Sequence, residues 1–496
     1  MRNGGIDGSR VATGSAGLDD VLGGGLPEDR MYLVHGLPGV GKTTLALQFL
    51  LEGVRRGEKV LYVTLSETEH EIRQVAESHG WSLDGITLYE LSAAEQNRRL
   101  NDNTLYAAED VELRATMSVL LDQVVRTQPA RVVFDSLSEI RLLAQTGPLY
   151  RREILGLKQF FAGRNCTVLL LDDRSAREPD LQVESLAHGV IALEQSAREY
   201  GSDRRRLRVV KLRGSSFRSG YHDFVVRRGG LVVFPRLVAA EHRSEETARV
   251  LPSGLPALDT MLGGGLDRAT STLIVGPAGA GKSLLATQFA SAAAARGENA
   301  TLFLFEERAG TLRRRTKNLG IDLDARRGGR ITIRQVDPAE LAPDEFTHLV
   351  RDEVEENDSR VVVIDSVNGY FTAMPEERFM TLHMHELLAY LDERGVATIL
   401  TMSQGGVVGT MTSPIDVSYL SDTVILLRYY EHRGRVRKAI SVLKKRSGAH
   451  EDAIRQLTFG PDGVRLGEPL SEMRGVLTGV PVIEGPAGRP EGPRVD

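Results

Sequence analysis

The sequence contains a single cysteine, Cys166, among its 496 residues. One cysteine cannot form a disulfide within the chain, and it cannot supply the paired thiolates of a zinc ribbon. The 11 histidines are scattered without the spacing of zinc ligands. We therefore expect neither a disulfide framework nor a structural metal, and we expect a protein of the reducing cytoplasm.

Long hydrophobic runs are also missing. No stretch approaches the roughly 20 apolar residues that a membrane-spanning helix needs. The first residues, from Met1 to Gly5, lack the apolar core of a signal peptide. We therefore expect a soluble, cytoplasmic chain without a membrane partner.

Charge of one sign is not in large excess, since 62 lysines and arginines face 67 aspartates and glutamates, a net charge of −5. The electrostatic field of so small a negative net charge does not attract nucleic acid, although a local basic face is not excluded. The composition, 41% hydrophobic and 26% charged, is that of a globular protein, and 496 residues exceed what one hydrophobic core usually organises. We expect two domains and no nucleic-acid partner.

One motif occurs twice in the chain. Residues 36–43 read Gly-Leu-Pro-Gly-Val-Gly-Lys-Thr and residues 276–283 read Gly-Pro-Ala-Gly-Ala-Gly-Lys-Ser, an offset of 276 − 36 = 240 residues. Leu-Asp at 18–19 and Leu-Gly-Gly-Gly-Leu at 22–26 recur at 258–259 and 262–266. Both octapeptides are complete Walker A loops. We predict a tandem duplication, with a first domain at 1–240, a linker at 241–250, a second domain at 251–475 and a flexible Gly- and Pro-rich tail at 476–496.

Each loop follows a short apolar run and precedes an amphipathic one, which is the order strand, loop, helix. More β-branched runs follow in both halves, separated by helical stretches such as 109–127 and 377–392. This alternation predicts an α/β fold in which a mostly parallel twisted sheet is flanked by helices. The predicted strands are 31–34, 60–63, 131–134, 168–171 and 231–234 in the first half and 271–275, 301–305, 361–364 and 397–400 in the second.

The loop glycines let the backbone wrap a nucleotide phosphate, whose charge the N–H groups and the next helix N-terminus complement. Lys42 and Lys282 are expected to contact the β- and γ-phosphates, and Thr43 and Ser283 to ligate Mg²⁺. ATP and Mg²⁺ are therefore the predicted cofactors. The predicted nucleotide-binding residues are Gly36, Gly39, Gly41, Lys42, Thr43, Thr44, Gly276, Gly279, Gly281, Lys282, Ser283 and Leu284.

Two aspartates, Asp135 and Asp365, each end an apolar strand and precede a serine. A strand-end aspartate is often only a turn residue. Because these two are in register with two Walker A loops, we predict them as the acidic Mg²⁺ ligands of the two sites.

Hydrolysis also needs a carboxylate that orients or deprotonates water. In the second half Glu306 and Glu307 follow a strand directly, whereas the first half has Ser66 and Glu67 at this place. A polar strand end would account for such residues without a function. We predict Glu306, Glu307 and Glu67 as catalytic residues.

With these motifs the sequence resembles the KaiC family, the circadian-clock ATPases and autokinases of the RecA superfamily. The resemblance covers roughly residues 13–475 and includes the Glu306–Glu307 pair, Lys-Leu-Arg-Gly at 211–214 and Ser-Asp-Thr-Val-Ile-Leu-Leu at 421–427. It implies two tandem RecA-like P-loop NTPase domains, assembled as a two-tiered homohexameric ring with nucleotides between protomers. It also suggests a KaiB-like small regulator as a partner.

The resemblance further implies cations that act across the protomer interface. Lys211 and Arg213 match the family's trans-acting pair in the first domain, and Lys444 and Arg446 match it in the second. Such cations stabilise the charge on a transferring phosphoryl group. Composition alone would leave all four as solvated cations of a β-hairpin. The second pair departs from the family pattern, since Ser-Gly follows it at 447–448 instead of Gly-Ser.

In the family, the second domain phosphorylates an adjacent Ser-Thr pair, with the first Glu of the Glu-Glu element as general base. The matching residues are Ser418 and Tyr419, so the serine is kept and the threonine is replaced. Tyrosine places its oxygen farther from the backbone, so we do not expect a two-site phosphorylation cycle. Ser66 stands where the family has its first Glu, so we expect slow or impaired hydrolysis in the first domain.

Three functions stay open. The leading hypothesis is a KaiC-like ATPase and serine autokinase that acts in signalling or timing. A RecA-type DNA-processing motor is favoured by basic clusters at 204–206 and 313–317 and disfavoured by the acidic net charge and by the lack of an added DNA-binding module. A kinase-dead scaffold that uses ATP only to assemble is favoured by the Ser66 and Tyr419 departures.

Overall fold

Two nine-stranded sheets organise the chain, one in each of its halves. The computed structural model describes residues 9–91, 108–173, 181–198, 201–239, 250–324, 328–337, 339–372, 380–404, 420–461, 463–477 and 482–483. Its contacts divide the chain into Met1–Arg236 and Leu237–Asp496, which we call the first and the second domain. No helix in the described part of the chain has the length and apolar character needed to cross a membrane.

The first domain alternates strands and helices up to β8 and then continues as antiparallel strands. Its elements are β1 Arg10–Val11, α1 Ala16–Val21, β2 Leu26–Pro27, β3 Met31–Gly36, α2 Lys42–Arg55, β4 Val60–Thr64, α3 Glu69–Ser78, β5 Ile86–Glu90, α4 Ala108–Thr127, β6 Arg131–Asp135, α5 Leu137–Ala144, α6 Gly147–Phe161, β7 Thr167–Asp173, α7 Leu181–Leu186, β8 Gly189–Ser196, β9 Arg204–Leu212, β10 His222–Arg227 and β11 Gly230–Phe234.

The second domain repeats this order. Its elements are β12 Val250–Leu251, α8 Pro256–Met261, β13 Leu266–Asp267, β14 Thr270–Gly276, α9 Lys282–Ala295, β15 Asn299–Leu304, α10 Ala309–Lys317, β16 Ile331–Gln335, α11 Pro343–Glu355, β17 Ser359–Asp365, α12 Val367–Thr372, α13 Met380–Glu393, β18 Ala397–Ser403, β19 Thr423–His432, β20 Arg435–Lys445, β21 Arg455–Gly460, β22 Gly463–Pro469, β23 Met473–Arg474 and β24 Val482–Ile483.

The two sheets have the same topology. The first runs β5-β4-β6-β7-β3-β8-β9-β10-β11 and the second β16-β15-β17-β18-β14-β19-β20-β21-β22. In each sheet the first six strands of this order pair in parallel and the last three join as antiparallel neighbours. This arrangement confirms the predicted fold class. It also brings the carboxyl ends of β3, β4, β6 and β7 to one edge, where polar side chains can meet.

Alternation along the central strands explains why helices cover both faces of each sheet. In β3, Tyr32 and Val34 belong to the core cluster on one face, whereas Met31 and Leu33 belong to the cluster on the other. Successive side chains of a strand point to opposite faces, so a strand that is apolar at every position needs cover on both sides. The short apolar runs of the sequence are therefore central strands of a three-layer domain.

The division between the domains falls four residues before the predicted end of the first domain, since 240 − 236 = 4. Leu237 and Ala239 belong to a core cluster of the second domain, and the Ala239 N–H donates to Glu386 at 3.3 Å. The predicted linker lies outside the described residues except for Val250. Two described parts of the predicted tail are packed or paired: Val476 is buried in a cluster with Tyr430 and Ala439, and Val482–Ile483 pair with Met473–Arg474 as an antiparallel ladder.

Candidate active sites

Each Walker A loop joins a central strand to the helix that follows. Gly36 and Gly276 end β3 and β14, and Lys42 and Lys282 begin α2 and α9. Gly41 and Gly281 have φ values of 115° and 110°, a left-handed conformation that favours glycine. A Cβ atom on Gly281 would also lie 2.2 Å from the Phe459 ring. The backbone of the predicted phosphate loops therefore requires the glycines of the motif.

The loop lysines lie folded back onto their own loops. Lys42 Nζ donates to the carbonyls of Gly36 and Leu37, both at 3.0 Å, and forms an ion pair of 2.6 Å with Asp173. Lys282 Nζ donates to Gly276 at 3.0 Å and to Pro277 at 2.9 Å. Both lysines are buried. Phosphate oxygens placed in the loop would compete with these neutral carbonyls as stronger, charged acceptors.

The predicted Mg²⁺ ligands of the first domain lie together. The Thr43 hydroxyl donates to Asp135 at 3.1 Å, and the phenol of Tyr62 donates to the same carboxylate oxygen at 2.5 Å. Burial raises the pKa of Asp135, while the hydrogen bonds from Tyr62 and Thr43 act in the opposite direction. A bound cation would favour the ionised carboxylate. Hydroxyl and carboxylate oxygens are the donor set that Mg²⁺ prefers, so these residues fit that ion.

In the second domain Ser283 and Asp365 hold the equivalent positions, on the first turn of α9 and at the end of β17. The hydroxyl of Thr401, on β18, donates to Asp365. Tyr62 and Thr401 thus orient the two aspartates from different strands. Thr44 and Leu284, each two residues after the Walker lysine, are buried. The Thr44 hydroxyl lies 3.2 Å from a ring nitrogen of His79.

The carboxylates after β15 have different partners. The Ser366 hydroxyl donates to Glu306 at 2.8 Å, whereas Glu307 forms an ion pair of 2.8 Å with Arg315. Glu306 also acts electrostatically on Lys282: burial lowers the pKa of Lys282, and the charges of Asp365 and Glu306 oppose that shift. Glu306 is therefore the member of the pair whose charge acts on the Walker lysine.

Glu67 is placed differently from Glu307. Burial, reinforced by the negative charges of Asp135, Glu71 and Asp173, raises the pKa of Glu67. Its Oε2 atom is buried without a hydrogen-bond partner among the described residues. Ser66, which precedes it, is exposed. The first domain therefore has only Glu67 at this strand end, and its environment favours the protonated form.

The basic pair of each domain lies at the opposite edge of the sheet from the loop. The Arg213 N–H donates to the His188 carbonyl, and the His188 N–H donates to the carbonyl of Met31, the first residue of β3, both at 2.8 Å. The P-loop begins at Gly36, 36 − 31 = 5 residues along, which is about 16 Å of parallel strand. Lys211 and Arg213 are therefore remote from the phosphate loop of their own domain.

The second domain repeats this placement. The Arg446 N–H donates to the Asp422 carbonyl at 3.0 Å, and the Asp422 N–H donates to the Ser271 carbonyl at 2.9 Å, next to the start of β14. Lys444 Nζ donates to the Ser421 carbonyl at 2.7 Å. Lys211 Nζ likewise donates to the Glu184 carbonyl, and Arg213 to the Ser185 carbonyl at 2.8 Å.

The charges around these pairs differ between the domains. The Met31 N–H donates to the imidazole of His188 at 3.2 Å, whereas the equivalent Ser271 N–H donates to the carboxylate of Asp422 at 3.0 Å. Arg446 pairs with Asp422 at 3.3 Å. Burial lowers the pKa of His188, and the nearby cations Lys158, Arg30 and Arg213 lower it further. The edge is cationic in the first domain and carries carboxylates in the second.

Ser418 and Tyr419, the candidate phosphorylation sites, lie outside the described residues. Among the residues that are described, the structure adds four that the sequence analysis missed: Tyr62, Asp173, Ser366 and Thr401. Asp173 and Thr401 lie on the strands predicted at 168–171 and 397–400 or just beyond them. The rule that found Asp135, an acidic residue at the end of an apolar strand, would have found Asp173 as well.

Two phosphate loops on parallel sheets, each with a strand-end aspartate beside the first helix, define a RecA-like P-loop NTPase with two tandem domains. The family model for the KaiC ATPase matches residues 11–238 and 251–471. The chain therefore belongs to the KaiC family of ATPases, as the motifs predicted.

Three relatives show the extent of the similarity. The circadian clock oscillator protein KaiC of Picosynechococcus sp. is 27% identical over 494 residues, which cover 97% of this chain and 94% of that protein. The circadian clock protein KaiC3 of Synechocystis sp. is 26% identical over 489 residues, 95% of this chain and 94% of that protein. The circadian clock oscillator protein KaiC of Thermosynechococcus vestitus is 26% identical over 483 residues, 95% of this chain and 92% of that protein. Both domains thus have counterparts in each relative.

Proposed function

We propose that this ATPase hydrolyses Mg²⁺-bound ATP and that its second domain transfers the γ-phosphoryl group to Ser418 of the protein itself. The observation that carries the proposal is the position of Glu306, which Ser366 holds at 2.8 Å and which acts on the Walker lysine Lys282. A carboxylate placed there can accept the proton of water or of a serine hydroxyl as the oxygen attacks phosphorus.

The other residues would bind and neutralise the nucleotide. Lys42 and Lys282 would leave the loop carbonyls and contact the β- and γ-phosphates. Thr43 with Asp135, and Ser283 with Asp365, would hold Mg²⁺, which when bound neutralises charge on the phosphate oxygens. Glu307, tied to Arg315, would support Glu306 from the adjacent position.

We propose further that the protein acts as a ring of identical copies, a homohexamer of two tiers. The backbones of Arg213 and Arg446 lie beside the starts of β3 and β14, about 16 Å of strand before the loops of their own domains, and Lys211 and Lys444 lie on strands two places away from β3 and β14. A second copy that presents this edge to the loop would supply them as trans-acting cations. Timing or signalling, and a KaiB-like partner, are extensions of this proposal from the circadian relatives.

The basic clusters support this function over DNA processing. In the cluster at 313–317, Arg315 pairs with Glu307 and Arg313 with Asp324 at 3.1 Å. In the cluster at 204–206, Arg204 pairs with Asp223 at 3.1 Å and Arg206 lies over the Tyr221 ring. Cations that are already paired within their own domain contribute less to phosphate-backbone binding than free ones.

The test is incubation of the full chain with Mg²⁺ and γ-labelled ATP, followed by phosphosite mapping, with Glu306→Gln and Ser418→Ala as controls. The proposal predicts label on Ser418 that both substitutions abolish. Release of inorganic phosphate without labelled protein would leave an ATPase without kinase activity. ATP binding without release would instead support the scaffold.

A further inference from the structure

At two neighbouring strand ends, each domain has one carboxylate and one serine, but the two residue types stand in opposite order in the two domains. Ser66 and Glu306 are equivalent, because the residues before them, Leu65 and Phe305, donate their N–H groups to the carbonyls of Asp135 and Asp365 at 2.7 and 2.8 Å. On the neighbouring strands Asp173 and Ser403 are equivalent, because they pair in register with Gly36 and Gly276, respectively. Each domain therefore has one carboxylate at these two positions, but at different ones.

Asp173 lies within the predicted phosphate site of the first domain. Its Oδ1 atom is 2.6 Å from Lys42 Nζ, and its backbone N–H donates to the Ser138 hydroxyl at 3.3 Å. Its negative charge contributes to the raised pKa values of both Asp135 and Glu67, so all three carboxylates share one site. The Asp173 side chain is 41% exposed, which leaves it accessible to water.

Glu67 is the competing candidate for the same task. It is equivalent to Glu307, the member of the second-domain pair that forms an ion pair with Arg315. It has no arginine like Arg315, because Val75 stands at that position, since 315 − 240 = 75. The charge of Lys42 opposes the raised pKa of Glu67 but does not outweigh burial and the neighbouring carboxylates. Asp173 differs from Glu67 in pairing directly with Lys42, at 2.6 Å, whereas the buried Glu67 Oε2 atom has no hydrogen-bond partner among the described residues.

We infer that Asp173 is the catalytic carboxylate of the first domain, in the role that Glu306 has in the second. This inference rests on the proposed ATP hydrolysis. When the phosphates draw Lys42 away, the Asp173 side chain is left beside the γ-phosphate. It accepts a proton from water as the water oxygen bonds to the γ-phosphorus and the bond from that phosphorus to the bridging oxygen breaks. ADP and inorganic phosphate leave, and the proton passes to solvent.

The experiment uses the full chain with Lys282→Ala, so that only the first P-loop turns over. ATP hydrolysis is measured as kcat and KM for Asp173→Asn, for Asp173→Ser, which carries the residue of the second domain, and for Glu67→Gln. We expect Asp173→Asn and Asp173→Ser to lower kcat by about 100-fold without raising KM. We expect a smaller loss for Glu67→Gln.

Rescue separates catalysis from a structural role. Ser66→Glu added to Asp173→Ser rebuilds the arrangement of the second domain, with the carboxylate on the other strand. We expect it to restore at least a tenth of the lost kcat, roughly 10-fold above the single variant. Binding of a fluorescent ATP analogue shows whether each variant is folded. If Asp173→Asn does not bind the analogue, the kcat of Asp173→Ser decides whether the role of Asp173 is catalytic.

Three results would overturn the inference. An unchanged kcat with a lower KM would make Asp173 only an ion-pair partner that competes with ATP for Lys42. A larger loss for Glu67→Gln than for Asp173→Asn would assign the role to Glu67. No turnover in Lys282→Ala together with turnover in Lys42→Ala would show that the first domain does not hydrolyse ATP. If neither single-site variant nor the unaltered chain releases phosphate, the proposed function itself fails.

Discussion

The two domains share the parts that hold a phosphate and differ in the parts that act on it. Strand order, loop backbone and the folded-back lysines are the same in both. The side chains around the lysine are not, because Asp173 pairs with Lys42 in the first domain, whereas in the second domain Glu306 acts on Lys282 and Ser403 stands at the position of Asp173. Phosphate binding depends on backbone geometry, which a duplicated fold preserves, while hydrolysis depends on a few side chains that can change separately.

A second contrast lies at the opposite edge. In the first domain Arg30, Lys158 and His188 surround the basic pair, and the Arg30 guanidinium donates to the Arg213 carbonyl at 2.5 Å. In the second domain Asp422 accepts from Arg446, and Asp392 lies close enough for its pKa to be raised by the Asp422 charge. Cations therefore surround His188 in the first domain, whereas carboxylates flank the basic pair of the second, and the titrations of His188 and Asp392 should change stability with pH in opposite directions.

The largest expected effect is the loss of a trans-acting cation. Arg213→Ala in the Lys282→Ala chain should lower hydrolysis at the first P-loop by about 10³-fold, because the charge on the transferring phosphoryl group loses a counterion. Mixing these chains with Lys42→Ala/Lys282→Ala chains should recover activity, since each copy supplies what the other lacks. No recovery in verified mixed assemblies would mean that Arg213 does not act across copies. Arg446→Ala in the Lys42→Ala chain, mixed with Lys42→Ala/Lys282→Ala chains, tests whether the second domain behaves alike.

The contrast between Glu306 and Glu307 gives the next effect. In the Lys42→Ala chain, Glu306→Gln should lower kcat by about 100-fold or more, because the proton acceptor is removed while size and shape are kept. Glu307→Gln is the matched control and should cost less, since that residue is bound to Arg315. The assignment of the two glutamates would be reversed if Glu307→Gln caused the larger loss of kcat.

Asp392 should make the second domain less stable as pH rises. Burial, with the charges of Asp422 and Glu393, raises the pKa of Asp392 to about 8. The folded form therefore holds a proton that the unfolded form loses near pH 4, so stability falls with increasing pH between these values. Asp392→Asn should remove this dependence and stabilise the second domain by roughly 2 kcal/mol at neutral pH. Calorimetric unfolding of the unaltered protein and of Asp392→Asn between pH 6 and 9 measures this dependence. The same slope of stability against pH in both proteins would contradict the prediction.

His188 should have the smallest effect on stability, and its effect should change with pH in the direction opposite to that of Asp392. The lowered pKa of His188 means that the unfolded form takes up a proton first as pH falls below about 6.5. Stability of the first domain should therefore decrease with falling pH, by less than about 1 kcal/mol for a partly buried group. Trp81, the only tryptophan, lies in the first domain and reports its unfolding by fluorescence. His188→Asn keeps an acceptor for the Met31 N–H and should flatten the acid side of the stability profile.

The strand periods and turn glycines of the sequence were sufficient for most of the fold. The predicted strands at 60–63 and 361–364 lie within β4 and β17, and the predicted helix at 109–127 lies within α4. Of the antiparallel strands that extend the sheets, only β11 was predicted, at 231–234. The strands β9, β10, β20 and β21 were not predicted, because they are partly exposed and carry a weaker apolar signal. The pairing of Val482–Ile483 was missed because two residues carry no period.

The two phosphate loops, their aspartates and the family could be predicted from the sequence, because these features depend on residues a few positions apart or on one motif per strand. Only the tertiary structure decided that Asp173 meets Lys42 across 173 − 42 = 131 residues and that Tyr62 and Thr401 hold the aspartates. It also placed Arg213 and Arg446 at the far edge from their own loops. Such contacts depend on strand order and register, which bring together side chains that no local pattern connects.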